Sequence, residues 1–226
     1  MSDRIQFTYQ QKAELGVCGY MRKNMERIKD IKMPQDLVEL ITLWFGTKDY
    51  WDLDNIHPSY QFTEPEDNDK CITRSTIYDG LCYQSFGSLD IKCGDLKIWK
   101  LKLLNVDKMC EASTSLIGII DSSQVNAGLK GDFCDKTNNG YGVSFYKGRK
   151  YYKTIQGFKY AEQIEINDMI IMELDMTNKQ NCTLKYKLTR NGIVTDFGFA
   201  FQKIDPNAQW KLAIAMYYRD HIQLIQ

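Results

Sequence analysis

From residue 71 to the C-terminus this 226-residue chain carries no helical period. Short runs rich in β-branched and aromatic residues alternate there with Gly, Asn and Asp, the pattern of half-buried strands joined by turns. The runs fall at 71–77, 81–88, 97–104, 116–120, 141–146, 150–155, 169–175, 183–190, 195–201, 211–217 and 221–225. About eleven strands with a turn signal every ~8–15 residues restrict this part to an antiparallel β-sandwich. Clean alternation also assigns faces. In 97–104, Trp99, Leu101 and Leu103 share the side expected to face the core, opposite Ile98, Lys100, Lys102 and Leu104.

The first 46 residues have a different period. Leu15, Cys18, Met21, Met25 and Ile28 recur at three- and four-residue spacing, with Arg22, Lys23, Glu26, Arg27 and Lys29 on the other side. Gly16 and Gly19 weaken the first turns, which moves the expected helix start toward Tyr20. A second helix opens at Pro34, a residue suited to the first helical position, with Asp36 meeting the helix dipole. Leu37, Leu40, Ile41, Trp44 and Phe45 form its apolar face and Gly46 ends it. At roughly three turns it is too short to hold alone, so Trp44 and Phe45 require a surface and mark it as a docking helix. The chain therefore divides into a helical element (1–46), an acidic and aromatic connection (47–69) and the sandwich (70–226). Tyr50 and Trp51 are expected to settle onto the sandwich, and the acidic run at 63–69 to be an exposed loop.

Hydrophobic residues make up 43% of the chain, enough for one core with a small appendage. The formal net charge is zero, which argues against a general nucleic-acid binder, since such proteins displace counterions with a basic face. Seven cysteines, an odd number without CxxC spacing, read as free thiols in a reducing compartment. The N-terminus lacks the basic-then-apolar pattern of a secretory signal, and no run approaches the ~18–20 apolar residues that span a bilayer. The expectation is a cytoplasmic chain with no membrane or nucleic-acid partner.

Catalytic constellations are missing from the pattern. The two histidines, His57 and His221, have no cysteine or histidine at metal-ligand spacing. There is no Gly-x-Ser-x-Gly, no Walker loop and no strand-borne GxGxxG. The acidic run lacks the Asp-x-Asp-x-Asp-Gly spacing and distal Glu of a calcium loop. No catalytic residue, metal or cofactor is expected. Asp175 reads as a turn or hydrogen-bonding residue.

Several segments of the sandwich follow a known order. Trp99 to Leu104 is a tryptophan-led strand, and Ile117-Gly118-Ile119-Ile120-Asp121 a short apolar run with an early glycine. After a long polar loop come Asn139-Gly140-Tyr141-Gly142, then a polar turn at Asn167-Asp168 running through an apolar strand to Leu174-Asp175. Leu184-Lys185-Tyr186 leads to a turn at Asn191-Gly192, and Phe199-Ala200-Phe201 and residues 212–216 close the pattern. In this order the chain from about residue 70 resembles the SPRY-domain family, a concanavalin-like jelly-roll sandwich. Lys100 and Lys102 stand where many members place acidic residues. The resemblance implies an intracellular, non-catalytic adaptor or scaffold that binds a partner protein or peptide. The pair Gly19–Lys23 and Met33–Leu37 is similar to a short helical element of uncharacterised proteins of single-celled eukaryotes, and that likeness carries no activity.

The binding surface is expected in loops at one end of the sandwich. The stretch 121–140 is about twenty residues long in an otherwise tight domain, and such loops tend to carry function. Asn138 and Asn139 could supply hydrogen bonds there and Phe133 an exposed anchor. Tyr141, Tyr146, Tyr151 and Tyr152 offer rigid contact area with a polar tip, although packing is the commoner role of a tyrosine. Tyr151 and Tyr152 must point to opposite faces, so only one of them is expected in the core. Arg219 sits on the turn before the last strand. Two other readings stand beside it: a lectin-like sandwich that binds carbohydrate through the same aromatic and Asn loops, and a structural subunit of a larger assembly, for example cytoskeletal, held instead through Trp44 and Phe45.

Overall fold

The computed structural model describes residues 49, 51–52, 60–62, 71–74, 83–105, 115–125, 133–134, 139–144, 146–153, 155–217 and 219–225. The helices expected in 1–46, with Trp44 and Phe45, lie outside the described residues, as do Tyr50, His57 and Asn138.

Among the described residues, thirteen strands form two antiparallel sheets. The first has seven strands, in the order β1 (Tyr60–Phe62), β2 (Cys71–Arg74), β13 (His221–Ile225), β4 (Leu96–Asn105), β9 (Met169–Asp175), β10 (Cys182–Arg190) and β11 (Ile193–Ile204). The second has six, in the order β3 (Tyr83–Phe86), β12 (Trp210–Met216), β5 (Leu116–Asp121), β6 (Gly140–Ser144), β7 (Arg149–Tyr152) and β8 (Ile155–Lys159). The fold is the expected concanavalin-like sandwich.

Alternation builds the core between the sheets. β9 buries Ile170, Met172 and Leu174 and turns Met169, Ile171, Glu173 and Asp175 outward. β4 buries Trp99, Leu101 and Leu103, the face read from the sequence. Across the gap stand Ile117 and Ile119 of β5 and Leu212, Ile214 and Met216 of β12. Each such side chain, fully removed from water, stabilises by about 1.5–3 kcal/mol.

β5 and β12 do not alternate in burial, because the six-stranded sheet is buried on both faces. Leu116, Ile120, Ala213 and Ala215 form a second apolar cluster on its outer side, together with Phe86, Tyr151, Val125, Phe133 and Cys134. The last three come from the long stretch after β5, and these residues pack on the sheet. Glycines in β6 make room for it: a Cβ on Gly140 would run into the Phe133 carbonyl, and one on Gly142 would stand 3.0 Å from the Cys134 Sγ and from the Phe133 ring.

Three expectations are corrected here. Phe133 is not an exposed anchor, because it fills the outer cluster and is 0% exposed. Tyr151 and Tyr152 do point to opposite faces, yet both are packed, Tyr151 in the outer cluster and Tyr152 against the inner core. The run 150–155 is not one strand: the chain turns at Lys153 (φ 49°) and returns as β8. The connection 47–69 also gives more than a link. It supplies strand β1 and places Trp51 in the core beside Gly87.

Candidate interaction surface

The chain enters the sandwich through a buried carboxylate. Trp51 bridges Gly87 at the β3 side, which carries Asp49 back between the sheets beside Ser88 and Leu89. The Trp99 indole N–H donates to Asp49 at 2.6 Å, the Ser88 amide at 2.7 Å, and the Ser88 hydroxyl and Leu89 amide at 3.1 Å. Gly87 is required beneath it, since a Cβ there would lie 2.5 Å from the carboxylate. Burial pushes the Asp49 carboxyl pKa up, opposed by the Lys97 charge and by these donors. Burial likewise lowers the Lys97 pKa, and Asp49 opposes that. Lys211 reinforces the entry by pairing with Asp52 at 3.3 Å and donating to the Ser88 carbonyl at 3.2 Å. This cluster serves the architecture: its polar groups satisfy one another.

An aromatic ledge lies where β7 of one sheet faces β11 of the other. Tyr141 stacks flat on Tyr152, with ring centres 4.4 Å apart and planes 3° from parallel. Phe201 meets Tyr141 edge-on at 5.0 Å, and Trp210 backs it at 5.4 Å. Tyr160, just past β8, crosses the gap: its hydroxyl donates to the Gly198 carbonyl of β11 at 2.6 Å. The Lys150 amine sits 5.6 Å from the Tyr160 ring centre and 5.8 Å from that of Phe201. Lys153 extends the row, 5.1 Å from the Tyr152 ring. Burial raises the Tyr141 phenol pKa, helped by Tyr152, and pushes that of Tyr160 up to about 12. Both are therefore neutral hydrogen-bonding tips at ordinary pH. Tyr152, Lys150, Tyr160 and Phe201 keep part of their surface, and Lys153 and Lys203 are exposed. The arrangement offers flat aromatic area beside cations, which suits an aromatic or acidic side chain.

The residues expected to bind do not form one site. Tyr146 and Arg219 lie at the end where β6 and β12 finish: the Tyr146 hydroxyl donates to buried Asp220 at 3.4 Å, and Asn105 donates to the Arg219 carbonyl at 3.0 Å. Asn139, Tyr141 and Tyr152 lie at the opposite end, where β6 starts and β7 stops. Asn139 is held by Asp121, its carbonyl accepting from the Asp121 amide at 3.0 Å. Tyr141 and Tyr146 are both buried, as is Tyr151 on the outer face, which removes them as projecting anchors. Arg219 is exposed. Of the expected set the ledge retains Tyr141 and Tyr152. The sequence reading missed Lys150, Tyr160 and Phe201, because the contacts that unite them cross between sheets.

Asp175 does accept hydrogen bonds, from the Thr177 amide at 3.0 Å and the Thr177 hydroxyl at 2.5 Å. Among the described residues, no group of three His, Cys, Asp or Glu side chains converges as a metal site. No helix among them is long and apolar enough to cross a membrane.

No family model matches the chain, and no curated protein matches it. Solved structures do. The chain is similar to the SPRY domain of human HERC1, with 13% identity and a TM-score of 0.55, over 78% of this chain and 97% of that one. It is similar to a second human SPRY domain with 11% identity and a TM-score of 0.53, over 73% and 95% of the two chains. The fold is that of a SPRY-type sandwich.

Proposed function

We propose that this chain is a protein-interaction module that holds a segment of a partner protein against the ledge of Tyr152, Phe201, Tyr160 and Lys150. One observation carries the reading: a partly open row of aromatic rings, braced from behind by Tyr141 and Trp210, with Lys150 held between two of them. A rigid aromatic surface costs little ordering entropy on binding, and the cations beside it select for acidic neighbours in the ligand. The SPRY-type fold supports the same reading by analogy, as a scaffold on which protein recognition is the common use. The ligand is a peptide segment with an aromatic or aliphatic anchor next to Asp or Glu.

The test is selection of a displayed peptide library on the full chain, counter-selected on a Tyr152→Ser/Lys153→Ser variant. Lys153 is exposed and Tyr152 half-buried with one face of its ring on Tyr141, so the variant is compared only after circular dichroism shows a folded sandwich. Acidic, aromatic-containing peptides enriched on the wild type alone would support the reading. Equal enrichment on both proteins would move the site elsewhere. A parallel glycan array that lights up while the peptide selection stays empty would replace the partner class with carbohydrate.

A further inference from the structure

Two sheets have four edges, and among the described residues three of them are guarded. β1 is only three residues long. The end of β3 is met by Trp51, which bridges Gly87, and by the Asp52 amide, which donates to the Phe86 carbonyl at 2.7 Å. β8 carries exposed Lys159. Short strands, covering segments and edge lysines all discourage pairing with another chain. β11 differs. From Ile193 to Asp196 it has no lysine and no proline, and its register shifts begin only beyond Asp196. Ile193 is 71% exposed and Val194 57%, and Thr195 and Asp196 are exposed as well. Past the first shift the Tyr160 hydroxyl occupies the Gly198 carbonyl, so the open stretch is 193–196.

The hairpin before this stretch fixes which backbone groups face outward. Asn191 (φ 51°) and Gly192 (φ 79°) form its two-residue turn, with both φ values positive. Such a turn closes on a hydrogen-bonded pair, here Arg190 and Ile193, and alternation makes Leu188 and Thr195 the next. The N–H and C=O of Val194 and Asp196 therefore point away from β10, and they have no partner among the described residues. Side chains line both faces of the edge. Val194 and Asp196 stand beside Thr189 and Lys187, and Ile193 and Thr195 beside Arg190 and Leu188. The Asp196 charge is answered by Lys187 at 3.5 Å. The stretch is thus apolar, without uncompensated charge, and short of hydrogen bonds.

We propose that this edge pairs with the same edge of a second copy of the chain, antiparallel about a two-fold axis at Val194, so that two seven-stranded sheets become continuous. Unpaired backbone requires an extended strand as occupant, and a second copy supplies one already held in place by its own hairpin, at little ordering cost. Charge agrees, since a compensated edge selects neither an acidic nor a basic segment. The register follows from the same residues. An axis at Asp196 would set carboxylate against carboxylate, and an axis at Thr195 would set Val194 against Asp196. With the axis at Val194, Val194 meets Val194 of the second copy on one face and Ile193 meets Thr195 of the second copy on the other. Both are favourable β-branched pairs. The two Asp196 carboxylates then lie about 13 Å apart along the strands. So short a contact falls below the standard interface size, and the association is weak and transient. It is separate from the aromatic ledge.

Sedimentation velocity of the full chain, from micromolar to near-millimolar concentration, should show a reversible monomer–dimer equilibrium. Val194→Lys and Val194→Glu each set like charges together at the axis and should weaken the dimer several-fold. Mixed in equal amounts they should associate better than either does alone, because unlike charges then meet. Val194→Pro removes the outward N–H and leaves the bonds of Ile193 and Thr195 to β10 in place, so it should abolish the dimer. Val194 is exposed, so circular dichroism should show an intact sandwich in all three. Leu96→Lys is the control. Leu96 is 56% exposed on the outer face of the same sheet, away from the β11 edge, and the change should leave the dimer as it is. A chain that stays monomeric at every concentration would overturn the proposal. So would a dimer that the Val194 variants leave intact, or one that the mixture does not recover. Loss of the dimer in Leu96→Lys alone would move the contact to the sheet face and also overturn it.

Discussion

The two outer faces of this sandwich solve the same problem in opposite ways. The six-stranded sheet carries small and aliphatic residues outward, and the chain covers them with Val125, Phe133 and Cys134 laid on a floor of glycine. The seven-stranded sheet turns lysines, carboxylates and a few large apolar residues outward and leaves them accessible. The first face is therefore part of the folding unit, and its residues act on stability. The second keeps its outward side chains accessible, so changes there are expected to act little on stability. A sandwich layer is defined by what covers it as much as by its strand pairing.

Phe133→Ala should break this contrast most visibly. It removes a fully buried ring from the covered face and should cost about 3–5 kcal/mol, read by urea denaturation. The same change at Phe199, on the open face, should stay within about 0.5 kcal/mol. Equal effects would mean that the two faces are not different in kind.

Asp49 belongs to neither face and measures the core between them. Asp49→Ala leaves the Trp99 indole and the Ser88 and Leu89 amides without their acceptor, and should cost about 2–3 kcal/mol. Its raised pKa gives a signed pH dependence. The folded chain holds the Asp49 proton to higher pH than the unfolded chain does. This group's contribution is thus complete below the ordinary carboxylate value and is lost as pH rises through the folded value. The stability of wild type minus Asp49→Asn should therefore increase between pH 7 and pH 4.5. A difference that shrinks on acidification would reverse the assignment.

Gly142→Ala tests the floor under the covered face. Its Cβ would press on the Phe133 ring and the Cys134 sulfur, costing about 1–2 kcal/mol. Smaller still, Lys185→Ala removes a half-buried ion pair with Glu173 and a cation 4.6 Å from the Phe199 ring. Loss of no more than about 1 kcal/mol is expected, further reduced in high salt.

Much of this was legible in the chain. β9 and β13 begin and end where their alternation does, because each has one core face and one wet face. Trp99, Leu101 and Leu103 were readable for the same reason. The covered face left a weaker trace: residues 116–120 and 212–216 are apolar without alternation, as strands buried on both sides must be. That signal, with Gly140 and Gly142 nearby, could have placed Phe133 against the sheet as part of its cover instead of at the surface. Strand β8 was hidden by Gln156 and Gly157 inside a short run. The ledge was half legible. Tyr141 and Tyr152 stood out as candidates, but Lys150 meeting Tyr160 and Phe201 is a product of topology, and no spacing in one sequence encodes it.

The most direct test of the functional account is calorimetric titration of a library-selected peptide against three folded proteins: wild type, Tyr152→Ser/Lys153→Ser and Leu96→Lys/Ile98→Lys. The account predicts at least a tenfold loss of affinity in the ledge variant and no loss in the open-face variant, a difference of about 1.4 kcal/mol or more. Full affinity in the ledge variant, with loss in the open-face variant, would contradict it and transfer partner recognition to the seven-stranded sheet.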